Sequence, residues 1–107
     1  MTILEPDSAL AHDVLAAARR VDDPAGRFGD RKVFISAVWE ELKKASPWLS
    51  GAGLHGFKVW LIDAERMGLV LLARVDMPGA LTEAQRQHYI KSWVYRGCDK
   101  HCILAAA

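Results

Sequence analysis

The residues with the clearest chemical capacity lie near the end of the chain. Between Arg86 and His101 stand Arg86, Lys91, Arg96 and Lys100 against the single acid Asp99, interleaved with His88, Tyr89, Trp93 and Tyr95. Cations among aromatics suit a nucleic-acid surface, because charge holds the phosphate backbone while rings stack or wedge. The competing reading is a solvated basic edge whose aromatics face the core. Cys98, His101 and Cys102, with His88 upstream, carry zinc-ligand chemistry, but the C-x3-C spacing is no standard knuckle and there is no second cysteine pair. No metal and no cofactor are expected. A Cys98–Cys102 disulfide is disfavoured in a reducing compartment, and Cys102 reads as a small core residue. Catalytic constellations are poor. No glycine-rich phosphate loop is present, Ser36, Ser46, Ser50 and the histidines have no motif around them, and Asp22-Asp23 reads as solvated loop acids. The expectation is a protein that is not an enzyme; a metal-assisted small enzyme is a third reading.

Composition bounds these options. A chain of 107 residues has room for one domain and one core. Hydrophobic residues are 51% and charged residues 25%, values of a globular protein rather than a disordered one. The net charge of +1 excludes a strongly basic coat, so nucleic-acid contact must come from a local patch. The charge is uneven: residues 1–26 carry net −3, residues 27–60 net +3 and residues 61–107 net +1. The acidic segment 1–26, which carries the first helix, is thus expected away from a phosphate surface, with Arg27, Arg31 and Lys32 nearer to it. No apolar run is long enough to span a membrane and no signal peptide is visible, so a cytoplasmic location is expected.

Apolar spacing supplies the elements that position these groups. Residues 8 to 21 predict a first helix through Leu10, Val14, Ala17 and Val21, with Asp7 or Ser8 as its cap. Residues 22 to 31 form a loop in which Phe28 plugs the core. Residues 33 to 45 predict a second helix, with Lys32, Val33 and Phe34 as an alternative short extended opening. Pro47 and the glycines mark a turn over residues 46 to 53. Residues 54 to 67 predict a third helix burying Leu54, Phe57, Trp60, Leu61, Ala64 and Met67, with Gly68 as its stop. Residues 69 to 75 read as a strand. Residues 82 to 92 begin like a helix, Trp93-Val94-Tyr95 has strand character, and residues 101 to 105 can pair antiparallel with residues 69 to 75. Trp39, Trp60, Phe34 and Phe57 are the expected centre of the core.

The order helix, helix, helix, strand, long connection, strand resembles the winged-helix superfamily, on the segments VFISAVWEEL, LHGFKVWLIDAERMG and LVLLARV. The resemblance implies a mainly α protein with a small β-hairpin (α+β), a three-helix winged helix-turn-helix domain with an extra C-terminal segment, covering 1–107 as one domain. It further implies that the third helix enters the DNA major groove. Carried over by position, the reading residues are His55, Lys58, Val59, Ile62 and Arg66, with Arg74, Lys91 and Arg96 near the phosphate backbone. Double-stranded DNA is then the partner, the role is transcription regulation or an accessory function, and a homodimer is plausible. Asp63 and Glu65 oppose phosphate, and Val59 and Ile62 suit protein contact or cover by the C-terminal segment. The alternative is therefore a protein-protein interaction module on the same fold. The connection over residues 76 to 100 is long for a wing and has room for an extra helix.

Overall fold

The computed structural model describes residues 8–29, 31–95 and 99–104. Among the described residues four α-helices, α1 (Ser8–Arg20), α2 (Ile35–Ala45), α3 (Gly53–Arg66) and α4 (Glu83–Lys91), are joined with six short strands. The strands are β1 (Arg27–Phe28), β2 (Lys32–Phe34), β3 (Leu72–Ala73), β4 (Val94–Tyr95), β5 (Asp99–Lys100) and β6 (Cys102–Leu104). Three 3-10 turns, Pro24–Gly26, Pro47–Ala52 and Pro78–Ala80, each begin at a proline, whose fixed φ suits the first position of a helical turn.

The fold is α+β, with more sheet and one more helix than the sequence reading of three helices and a hairpin. An antiparallel sheet runs in the order β1-β2-β6-β3, and β4 and β5 form a separate hairpin. The expected pairing of the last strand with the strand after α3 is present, with Leu72 opposite Ile103 and Ala73 opposite Cys102. On its other side β6 pairs with β2, Val33 opposite Ile103. The extended alternative for residues 32 to 34 is therefore the one adopted, and α2 starts only at Ile35. The sheet continues into the helix, since the Ile35 amide donates to the His101 carbonyl at 3.1 Å. Of the expected caps for α1, Asp7 lies outside the described residues.

Packing follows the apolar stripes. Leu10, Val14, Ala17 and Val21 are buried, as are Phe34, Trp39, Phe57 and Trp60. The Phe57 ring stacks between Trp39, centroids 5.1 Å apart, and Trp60, centroids 6.2 Å apart, so α2 and α3 are joined through three aromatic rings. Phe28 is half-buried against this core. α3 stops where Gly68 takes φ +75°, with the Leu69 amide on the Ala64 carbonyl at 2.9 Å and the Gly68 amide on that of Glu65 at 3.0 Å. That is the paired hydrogen-bond closure a left-handed glycine permits.

The 3-10 turn between α1 and β1 leans on a close approach. A Cβ at Gly26 would lie 2.8 Å from a Val21 methyl and 2.9 Å from the Ala37 Cβ, and neither neighbour is the end of a flexible chain. Gly26→Ala is expected to cost about 1–3 kcal/mol in chemical denaturation, because the turn must lift off α2.

Candidate nucleic-acid interface

α3 has 14 residues, so it is about 21 Å long and fits within a major groove roughly 12 Å wide. Its inner face, Phe57, Trp60, Leu61 and Ala64, is buried. The opposite stripe advances by three or four residues through His55, Lys58, Val59, Ile62 and Arg66, which places these groups on one face. His55 and Arg66 are exposed and Val59 is 48% exposed, so no described segment covers the middle of the stripe. Ile62 is half-buried and packs on the core, so it belongs partly to the interior. Lys58 is half-buried, and burial lowers its pKa from the ordinary lysine value. A phosphate beside Lys58 would reverse that penalty by favouring the charged form.

The acids on α3 are partly engaged. Glu65 accepts a hydrogen bond from the Leu72 amide at 3.0 Å, a donor on the outer edge of β3. Its carboxylate therefore satisfies a sheet edge instead of facing a partner. Asp63 lies 3.9 Å from the Arg66 guanidinium, a loose surface pair that a stronger anion can replace. Arg74, just beyond β3, is exposed.

Other cations expected near this surface serve the fold. The Arg27 side chain donates to the Val21 carbonyl and, at 3.1 Å, to that of Ala18, so it caps the C-terminus of α1. The Lys32 ammonium donates to Asp76 and to the Arg74 carbonyl, both at 2.7 Å, and this pairing lowers the Asp76 pKa. Of that loop, Arg31 remains exposed.

The stretch after residue 82 divides between interior and surface. Thr82 and Gln85 form a reciprocal cap at the start of α4, at 3.1 and 2.9 Å. His88 and Tyr89 are half-buried, with Tyr89 stacked on His101 at 4.1 Å between centroids. Arg86 and Lys91 are exposed, and Trp93 is 56% exposed. α4 packs on α2 and on the Pro24–Gly26 turn. The structure thus gathers His55, Lys58, Val59, Ile62 and Arg66 on one face and sets Lys91 on another element. Arg96 and Cys98 lie outside the described residues.

One polar cluster was not legible in the sequence. The Ser36 amide donates to the Ser92 hydroxyl at 2.9 Å, that hydroxyl donates to the Ser36 hydroxyl at 3.0 Å, and the Ser36 hydroxyl lies 2.7 Å from His88 Nδ1. Its members come from positions more than fifty residues apart, so no local motif announces it. A serine beside a histidine is a nucleophile–base pairing in form, but Ser36 is 4% exposed and already bonded on two sides. Burial lowers the His88 pKa; Asp23 and Glu40 act to raise it, and Lys91 acts to lower it. Beside His88 a cleft of ≈ 260 Å³ is lined by Asp22, Asp23, Glu40, Glu41 and Lys44. Among the described residues no group of three or more His, Cys, Asp or Glu is placed to hold a metal ion. Cys102 is a buried free thiol whose pKa is pushed up to about 12 by burial, the inert state expected of a core cysteine.

No protein-family profile, curated protein or solved structure matches the chain. Among the described residues no helix is long and apolar enough to cross a membrane.

Proposed function

We propose that the chain is a small, non-catalytic DNA-binding protein of the winged-helix kind, a cytoplasmic regulator or accessory factor that lays α3 in the major groove of double-stranded DNA. The observation that carries this reading is the outward stripe of exposed His55, Val59 and Arg66 with half-buried Lys58 among them, on a helix anchored by Phe57 and Trp60. The topology supports it: a strand lies between the first two helices, and the last strand sits between that strand and the one following α3. The β4–β5 hairpin is the corresponding wing, with Lys100 on its second strand. Arg74 and Arg66 reach phosphates, Lys58 and His55 reach base edges or phosphates, and Val59 touches thymine methyl groups. Two copies on paired half-sites would supply the affinity that one short helix lacks.

The test is retention of the wild-type chain on mixed-sequence duplex DNA across a salt series. Affinity is expected to fall steeply and log-linearly with salt. Lys91→Ala is expected to reduce the slope by about 1 where the α4 flank also meets a phosphate. No retention at low salt contradicts the reading.

A protein-interaction role on the same fold is the second reading. It is favoured by Val59 at 48%, Met67 at 61% and Leu71 at 60% exposure, apolar side chains along α3 and the approach to β3. Leu71→Asp separates the two, because Leu71 is exposed and lies off the DNA-reading stripe: loss of a bound protein with DNA retention unchanged favours the second reading. Ile62→Asp is unsuitable, since Ile62 packs on the core.

A further inference from the structure

β1 and β6 end, and β2 begins, in one row across the sheet. Phe28 stands opposite Lys32, and Lys32 opposite Leu104, so the three strands each give one side chain to the same face. The turn between β1 and β2, with Gly29 at φ +76°, sets exposed Arg31 beside this row. Asp76 comes to it from the loop after β3. Together these residues line an open cleft of ≈ 390 Å³, within the size range of small-molecule sites.

The cleft has two kinds of wall. Half-buried Phe28 and Leu104 supply apolar surface. Arg31 and Lys32 supply cations. The Lys32 side chain is 23% exposed, and its ammonium donates to the Arg74 carbonyl and to Asp76, both at 2.7 Å. The structure thus already seats a carboxylate on Lys32. The Asp76 side chain is 77% exposed, and a pair open to solvent is weakly held, so another carboxylate can take its place. Two cations against one acid leave the lining a single net positive charge. That suits a monoanion, whereas a dianion brings more charge than the lining neutralises.

We propose that this cleft is a binding site for a small organic monocarboxylate with a compact apolar body. The ligand carboxylate replaces Asp76 on the Lys32 ammonium and bonds the Arg31 guanidinium, whose fork matches a two-oxygen anion. The body covers Phe28 and Leu104 and removes apolar surface from water. The Lys32 bond to the Arg74 carbonyl stays, and Asp76 turns out to solvent. A backbone phosphate brings no apolar body to set on Phe28 and Leu104, so nucleic acid is the poorer occupant. The site is independent of the nucleic-acid reading.

Titration of the isotope-labelled full chain with cyclohexanecarboxylate, followed by amide shifts at constant pH and ionic strength, tests it. Acetate (head without body), cyclohexylmethanol (body without charge) and inorganic phosphate are the comparisons. Saturable shifts are expected around residues 28–32, 76 and 104, with a Kd of about millimolar order. Each comparison is expected to bind about tenfold or more weakly. Arg31→Gln is expected to weaken binding about fivefold or more. Asp76→Asn is expected to tighten it by about two- to fivefold, because a charged competitor is gone. Both side chains are exposed, so neither change opens the core. No saturation below about 50 mM overturns the proposal. So do equal binding of any comparison, shifts centred elsewhere, Arg31→Gln without effect, or Asp76→Asn that binds no tighter.

Discussion

Alanine at Lys58, Arg66 and Arg74 together is expected to weaken retention on duplex DNA by roughly several hundredfold at about 0.1 M salt. Each phosphate neutralised contributes about 0.9 to the salt slope, which is a factor of about eight at that concentration. Three contacts multiply to that size and remove about 2.7 from the slope. The fold should survive. Arg66 and Arg74 are exposed, Asp63 pairs with Arg66 only loosely at 3.9 Å, and Lys58 sits mid-helix where alanine is the best former. Circular dichroism and electrophoretic retention on the same samples check both halves. Unchanged retention would mean that α3 does not carry the contact.

Phe57→Ala is expected to be the most damaging single core change. The ring is fully buried and stacked between Trp39 and Trp60, so its loss opens a cavity at the α2–α3 junction. The cost is about 3–5 kcal/mol, against a total of roughly 5–15 kcal/mol for a domain of this size. The melting temperature should fall by roughly 15 °C or more. DNA retention should fall with it, because the same junction sets the angle at which α3 is presented. A loss below about 1 kcal/mol would mean that the aromatic stack does not hold α3 in place.

The helices were legible because long apolar periods are hard to satisfy in another way. Phe57, Trp60, Leu61 and Ala64 fix the buried face of α3, and Gly68 marks its end through a left-handed φ. The β3–β6 pairing was also readable. The part of β2 was not decided by the sequence, since Val33 and Phe34 are buried and apolar whether the chain is helical or extended. What decides it is pairing with β6, seventy residues away. α4 was ambiguous because it carries little apolar stripe; its reciprocal Thr82–Gln85 cap was the available signal.

Within the candidate site, spacing set His55, Lys58, Val59, Ile62 and Arg66 outside the apolar sector of α3, and the winged-helix resemblance singled them out as readers. The fate of individual charges was not. Arg27 and Lys32 counted as free cations in the sequence, yet one caps α1 and the other grips Asp76. Glu65 counted as an acid repelling phosphate, yet it bonds the Leu72 amide. Each of these depends on a contact between elements, which charge counting cannot register.

The most direct test of α3 as the contacting element is amide chemical-shift mapping of the labelled chain titrated with a mixed-sequence duplex at low salt. The account predicts shifts concentrated at His55, Lys58, Val59 and Arg66, extending to Arg74, with α1 silent. No shifts at all, or shifts confined to other elements while α3 stays unchanged, would contradict it.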